Sequence, residues 1–184
     1  MDEADSLSQA CKQVTLRDGA PVRIRMARAD DRPELEAAFE GLDRQTVYTR
    51  YFSFRKGLSE AEFEGLEAAD PDRYVLLVAT VGTGADETVI AAANCVVLDP
   101  AGPGRSAEIA FTVGQDYRRQ GLARRMLAAS TEIARSRGIT RFEADVLSHN
   151  QTMLAVFRRC GLPMTTSASG GIVHLVRDLA AAAT

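Results

Sequence analysis

The segment YRRQGLARRM at residues 117–126 places four arginines around a single glycine, Gly121. Guanidinium groups donate paired hydrogen bonds to phosphate oxygens, and glycine lets a ligand approach the backbone closely because it has no Cβ. At a helix start, unsatisfied backbone N–H groups and the helix dipole also attract an anion. The segment therefore predicts a pyrophosphate site. The alternative is a solvated helix start whose arginines face water.

A carboxylate, Glu108, precedes this segment in the alternating stretch AEIAFTV at residues 107–113. The alternation predicts a strand with Ile109 and Phe111 on one face and Glu108 on the other. Apolar neighbours would disfavour the ionised carboxylate and suit it to proton transfer near neutral pH. Glu108 is therefore the candidate general base, with a solvent-facing strand residue as the alternative. His149 is the second candidate for the base.

Composition and motifs exclude several other classes of function. The chain has 184 residues, a net charge of −3, three cysteines and two histidines, so neither a Cys/His zinc site nor a nucleic-acid surface is expected. The GKS or GKT of a P-loop is missing, as are the three glycines of a dinucleotide fingerprint. No apolar run is long enough to cross a membrane. The acidic N-terminus lacks the apolar region of a signal peptide, so a cytoplasmic location is expected.

The elements that must position these residues can be placed by their patterns. We expect a loose N-terminal lead-in over residues 1–20 and a single domain over residues 21–184. Alternation and capping signals predict strands, three early helices, a helix from Gly121 to Arg137, and a later helix that begins near Asn150. The mixture predicts an α/β domain with helices packed on a sheet.

The order of elements over residues 107–161 resembles the core of the GNAT acyltransferase superfamily, whose phosphate loop reads Q/R-x-x-G-x-G/A. Residues 118–123, RRQGLA, fit that pattern at each fixed position. The stretches AEIAFTV, RFEADVL and NQTMLAVFRRCGL are similar to the neighbouring elements of the family. The resemblance implies the GNAT fold, a mixed and mostly antiparallel sheet splayed between two parallel strands, here 107–113 and 139–147.

The same resemblance implies acetyl-CoA as co-substrate, with no metal. Its implied cofactor-binding residues are Phe111, Thr112, Val113, Arg118, Arg119, Gln120, Gly121, Leu122, Ala123, Asn150 and Phe157. The first three would bond the pantetheine through their backbones, and the loop would hold the pyrophosphate. The family often has a tyrosine general acid where this chain has Phe157. Asn150 has two roles open to it, a helix N-cap and a contact with the cofactor arm.

A narrower resemblance covers VYTRYFSFRKGLSEAEF at residues 47–63, which is similar to the bacterial protein-lysine acetyltransferases of the Pat type. That resemblance implies transfer of acetyl to a protein lysine, with a protein substrate such as an acyl-CoA synthetase. Pat-type enzymes carry a glutamate on the strand that holds Glu108. A small-molecule amine acetyltransferase and a non-catalytic CoA-binding sensor are the alternatives. The expected state is a monomer or a homodimer, without nucleic-acid or membrane partners.

Overall fold

The computed structural model describes residues 12–67, 70, 72–98 and 104–180. In this part of the chain, eight strands form one sheet in the order β1-β2-β3-β4-β5-β6-β8-β7. The strands are β1 (Lys12–Thr15), β2 (Pro21–Met26), β3 (Tyr74–Val81), β4 (Thr88–Val97), β5 (Ser106–Val113), β6 (Arg141–Leu147), β7 (Met164–Ser169) and β8 (Ile172–Asp178). Neighbouring strands run antiparallel except for the parallel pair β5 and β6.

Five α-helices of the described chain cover the two faces of the sheet. They are α1 (Arg32–Glu40), α2 (Arg44–Tyr51), α3 (Glu60–Glu67), α4 (Leu122–Ser136) and α5 (Gln151–Arg158). On one face, α4 buries Leu122 and Met126 in the main core with Ile109 of β5. On the other face, α1 and α3 bury Leu35 and Phe63 against a second cluster.

The parallel pair β5 and β6 is short. Ser106–Glu108 pair with Arg141–Glu143, and the ladder between these two strands ends there, although β5 continues to Val113 and pairs with β4 from Ala107 to Val113. The two strands therefore separate after Glu108 and leave a V-shaped opening in the middle of the sheet. This opening confirms the expected splay, and with the helices on both faces it confirms the GNAT fold.

Several local expectations are confirmed. One of the capping signals expected for the early helices is at Ser59, whose N–H donates to Glu62 Oε2 over 2.8 Å as in one half of a capping box, and α3 ends before Asp70. Helix α4 begins after Gly121 and is followed by Gly138, whose φ is +71°. The left-handed backbone at Gly138 explains the stop, since glycine adopts it without the strain of a Cβ.

Residues 12–20 differ from the loose lead-in that we expected, because they form β1 and a turn. Val14 pairs with Val22 of β2, and Leu16 is buried with an exposed fraction of 3%. The sequence Lys-Gln-Val-Thr is too short and too polar to reveal its period-two pattern. The first eleven residues of the expected lead-in lie outside the described part of the chain. None of the described helices has the length and apolar character needed to span a lipid bilayer.

Candidate active site

The arginine-rich loop has a backbone that exposes N–H groups to solvent. Gly121 is the N-cap of α4, with a φ of +84°, and Arg119 is also left-handed, with a φ of +61°. No atom lies within 4 Å of the position that a Cβ on Gly121 would take. The first N–H groups of a helix have no carbonyl partner in the helix. The open space above Gly121 and these donors therefore fit a phosphate group.

Arg118 is bound to the protein instead of projecting freely from the loop. Its Nη2 donates to Asp43 Oδ2 over 2.7 Å and also to the hydroxyl of Thr46. Asp43 is the N-cap of α2 and accepts from the Thr46 N–H over 2.9 Å. The Thr46 and Arg118 hydrogen bonds lower the pKa of Asp43 to about 2, against the smaller opposing effect of burial. Arg118 therefore joins the arginine-rich loop to the start of α2.

The turn between β1 and β2 packs beside the same loop. Arg17 Nη1 donates to the carbonyl of Arg119 over 3.1 Å, and Gln120 Nε2 donates to Asp18 Oδ2 over 3.1 Å. Arg125 Nη2 donates to the carbonyl of Thr15 over 2.9 Å. These contacts hold the loop in place from its outer side. The sequence did not reveal them, since they join residues more than one hundred positions apart.

The splayed end of β5 carries the backbone groups expected to bind pantetheine. Phe111 is buried, whereas Thr112 and Val113 are half-buried. The Phe111 and Phe157 rings lie 5.9 Å apart between centroids, and Phe157 is only 1% exposed. Phe157 is therefore part of the wall behind the splay and has no proton to donate.

The side chains of the arginine-rich loop differ in exposure. Leu122 is buried in the core, so only its backbone is available to a ligand. Arg119 is exposed, and Ala123 is half-buried.

Helix α5 is fixed at both ends. The Asn150 Oδ1 accepts from the Met153 N–H over 3.2 Å, which establishes the N-cap role. At the other end, the fully buried Arg177 donates to the carbonyls of Phe157 and Leu162, the latter over 2.9 Å. These carbonyls lie at and just beyond the last turn of α5, where the helix dipole favours a cation. Burial lowers the pKa of Arg177. The arrangement keeps Phe157 against the splay.

Glu108 lies at the vertex where β5 and β6 begin to separate. Its backbone partners are Val96 on β4 and Glu143 on β6, so the three side chains share one face of the sheet. The side chain of Glu108 is exposed. The expectation of apolar surroundings is therefore wrong, because the neighbouring positions on this face hold a carboxylate and the exposed Val96. The carboxylate is open to solvent and to an incoming substrate.

A histidine that no sequence pattern singled out lies on β8, beside the β6 wall of the splay. His174 Nδ1 is 2.8 Å from Asp145 Oδ1, and its Nε2 is 3.8 Å from Glu143 Oε2. The backbone pairing of β6 with β8 puts these groups on the face that carries Glu108.

His149, the second candidate for the base, is exposed and lies just before the start of α5. Cys95 is buried, and burial raises the pKa of its thiol to about 12, as suits a packing residue.

The arginine-rich loop lies at the start of α4, and the parallel strands β5 and β6 separate beside it. This arrangement is suited to an extended cofactor that carries phosphate groups. The sequence agrees, because residues 37–162 match the profile of the Acetyltransferase (GNAT) family. The chain belongs to this family, and its class is that of the N-acetyltransferases. Among the described residues, no three His, Cys, Asp or Glu side chains are arranged to hold a metal ion.

Three relatives are informative. The acetyltransferase Pat of Mycolicibacterium smegmatis is 35% identical over 120 residues, which cover 64% of this chain and 34% of Pat. The chain thus spans about a third of that curated relative. The GNAT domain of S. lividans PAT is 31% identical to this chain with a TM-score of 0.83, and the match covers 93% of this chain and 98% of that domain. yncA of Salmonella typhimurium, solved with its cofactor acetyl-CoA, shares the fold at 18% identity with a TM-score of 0.67. The match covers 86% of this chain and 94% of yncA.

Proposed function

We propose that the protein transfers an acetyl group from acetyl-CoA to the side-chain amine of a lysine in a protein, with Glu108 as general base. The observation that carries the proposal is the coincidence of a β5–β6 splay with a left-handed glycine loop at the start of α4. Family membership and the similarity to two Pat proteins support the same activity.

The cofactor would lie along β5. The backbone groups of Phe111, Thr112 and Val113 are suited to bond pantetheine, because the β6 side of β5 has no ladder partner beyond Glu108. The backbone N–H groups of the loop at residues 118–123 would hold the pyrophosphate, with the Arg119 side chain beside them. Asn150 caps α5 and would contact the cofactor arm. Bound acetyl-CoA supplies the activated thioester.

Arg118 would hold the loop in place and would not contact the phosphates directly. Its guanidinium is shared with Asp43 and Thr46, so the loop is tied to α2 on the face where the acceptor would enter. We therefore assign the direct phosphate contacts to the backbone and to Arg119. Gln120, bound to Asp18, would fix the loop in the same way.

Glu108 would remove a proton from the acceptor. A lysine has an ordinary pKa of about 10.4 and is almost fully protonated at neutral pH, so its nitrogen needs a base, directly or through a water molecule. The free lone pair then attacks the thioester carbon, and the carbon–sulfur bond breaks as the new amide bond forms. Because Glu108 is exposed, it can pass the proton to solvent.

The remaining steps need no further acid. A backbone N–H near Val113 would stabilise the oxyanion that forms on the carbonyl. The leaving thiolate resembles that of cysteine, whose ordinary pKa is about 8.5, so it can depart without a proton donor. This accommodates Phe157 in the place where the family often has tyrosine.

The charge of the acceptor face favours a cationic substrate. Glu108, Glu143 and Asp145 lie on one face of β5 and β6. Carboxylates placed around a site steer a cationic group towards it. A lysine on a protein surface therefore suits this face better than an acidic or neutral acceptor.

The test is a thiol-release assay with acetyl-CoA, run against an acyl-CoA synthetase and against a panel of small amines. Release with the protein, together with a mass increase of one acetyl group on a lysine peptide, supports the proposal. Release with amines alone would instead assign a small-molecule acetyltransferase. Binding of acetyl-CoA without release by any acceptor would assign a CoA-binding sensor.

A further inference from the structure

The chain has only two lysines of its own, Lys12 and Lys56. Lys12 lies on β1, is half-buried and forms an ion pair with Glu132 of α4. Lys56 lies in the loop between α2 and α3 and is exposed, and within the described part of the chain no residue forms a hydrogen bond or an ion pair with it. The two amines therefore differ in how readily they can enter the active site of an enzyme that acetylates lysines.

The loop that carries Lys56 is held on both sides by one carboxylate. Arg55 Nη2 donates to Glu62 Oε2 over 2.6 Å, and the Ser59 N–H donates to the same oxygen over 2.8 Å. Gly57 follows Lys56, and no atom lies within 4 Å of the position that a Cβ on Gly57 would take. Lys56 therefore lies at the tip of a fixed loop, with open space beside the residue that follows it.

An aromatic and basic surface surrounds this tip. The Phe54 side chain is 64% exposed, and its ring lies 5.1 Å from the ring of Tyr48 between centroids. The exposed guanidinium of Arg44 lies 4.8 Å from the centre of the Phe54 ring. Arg44, Phe54 and Lys56 line one cleft, and we call these three residues the loop surface. Exposed aromatic and arginine side chains are typical of surfaces that bind other proteins.

The loop surface does not face the active site of its own molecule. The described residues that line its cleft come from α1, α2 and the loops beside them, and none belongs to a strand of the sheet. The two helices therefore lie between Lys56 and the β5–β6 vertex that carries Glu108. A second molecule has no such obstacle, so Lys56 can reach Glu108 only in another copy.

The acceptor face is complementary in charge to the loop surface. Glu108, Glu143 and Asp145 lie together on that face, whereas the loop surface presents the cations of Arg44 and Lys56. Opposite charges on two surfaces steer them together and favour the matching orientation. Because the contact would join two different patches, it need not close into a stable dimer. A transient contact is sufficient for transfer of a group.

We propose that one copy of this chain acetylates Lys56 of another copy. The inference rests on the proposed function, because it uses the same acetyl-CoA and the same base. The Glu108 carboxylate of one copy takes a proton from the Lys56 ammonium group of the other. The lone pair then attacks the thioester carbon, the carbon–sulfur bond breaks as the amide bond forms, and the coenzyme A thiolate takes a proton from solvent. The loop surface thereby loses one positive charge.

The experiment mixes two variants of the full chain with acetyl-CoA and no other acceptor. Glu108→Gln lacks the base but keeps the acceptor amine, whereas Lys56→Arg keeps the base but lacks that amine. Intact-mass spectrometry distinguishes the two chains, and peptide mapping locates the acetyl group. We expect one acetyl group at Lys56 of the Glu108→Gln chain in the mixture, and none when that variant is incubated alone.

The wild type provides the matched control, because the chain has a second lysine. Wild type and Lys12→Arg should each gain one acetyl group at Lys56, and Lys56→Arg should gain none while it still acetylates the acyl-CoA synthetase. Transfer between copies is bimolecular, so dilution of the wild type by about tenfold should lower the rate per molecule about tenfold.

Acetylation of the synthetase by wild type without any acetyl group at Lys56 would overturn the inference and leave the proposed function intact. Equal labelling of Lys12 and Lys56, or labelling of Glu108→Gln incubated alone, would show a reaction that does not need the base and would also overturn it. Labelling of wild type at a rate that does not change with dilution would show transfer within one chain and would overturn the role of a second copy. No acetyl transfer to Lys56, to the synthetase or to any amine would overturn both proposals.

Discussion

The Nη2 of Arg118 lies 2.7 Å from Oδ2 of Asp43, so an arginine of the loop at residues 118–123 is bound to the carboxylate that caps helix α2. The two residues are 75 positions apart in the chain. Because α2 lies beside β5 and β6, the contact joins the loop that would hold the pyrophosphate to the face that would receive the acceptor. A change at Asp43 should therefore affect both stability and the shape of the site.

Asp43→Ala should lower the free energy of unfolding by about 1 kcal/mol, since an N-cap is lost. Asp43→Asn keeps the cap and removes only the charge, and a partly exposed ion pair contributes about 0–1 kcal/mol, so its effect should be smaller. Urea unfolding at pH 7 measures both. Equal losses in the two variants would show that the ion pair, and not the cap, stabilises α2.

The contribution of Asp43 should depend on pH. Its pKa is lowered from 3.8 to about 2 in the folded protein, and a group with a lowered folded pKa stabilises the fold above its unfolded pKa. The difference between wild type and Asp43→Asn should therefore be constant above pH 5 and should shrink as the pH falls from about 4 towards 2. Urea unfolding of both proteins across this range is the measurement. A difference that grows on acidification would contradict the assignment.

Gly121→Ala should weaken acetyl-CoA binding at least tenfold, because a methyl group at a φ of +84° would occupy the open space above the loop and strain its backbone. Gly138→Ala is the matched control. Gly138 has a φ of +71° and also has no atom within 4 Å of an added Cβ, but it lies at the opposite end of α4. Calorimetry should show weak binding only for Gly121→Ala, while thermal unfolding shows similar destabilisation of both.

Arg25 and Asp31 form a buried bidentate pair whose two hydrogen bonds both measure 2.7 Å, and it fixes the end of β2 to the start of α1. Removing one partner of a buried pair leaves a charge without its partner and costs about 3–5 kcal/mol. Asp31→Ala should lose about 3 kcal/mol, since Glu87 still accepts from Arg25. Glu36→Ala, which breaks the exposed pair with Arg32, should change stability by less than about 1 kcal/mol. Chemical unfolding at pH 7 compares them.

Much of the fold could be predicted because its signals are local. The alternation of AEIAFTV predicted β5, and α4 (Leu122–Ser136) lies within one residue at each end of the helix expected from Gly121 to Arg137. The left-handed turn at Gly121 could also be predicted, since it depends on one glycine at a helix start, and its use as a phosphate site stays a prediction. These features depend on residues within a few positions of one another.

The remaining features depend on tertiary contacts. The partner of Arg118 lies on α2, and that of His174 lies on β6, so neither appears in a local pattern. The exposure of Glu108 could not be deduced from its own strand, because the neighbouring strands provide Val96 and Glu143. A cavity lined by Leu35, Phe63 and Ala92 exists only because α1 and α3 pack on β3 and β4.

We propose that Glu108 deprotonates a lysine for acetyl transfer. The most direct measurement is the steady-state rate of acetyl transfer to the protein acceptor by wild type, Glu108→Gln and Glu143→Gln. Glu108→Gln preserves size and hydrogen bonding but cannot accept the proton, so kcat should fall about 10²–10⁴-fold with acetyl-CoA affinity unchanged. Glu143→Gln, at the β6 position whose backbone pairs with Glu108, should keep kcat within a few-fold. An unchanged kcat in Glu108→Gln would contradict the account.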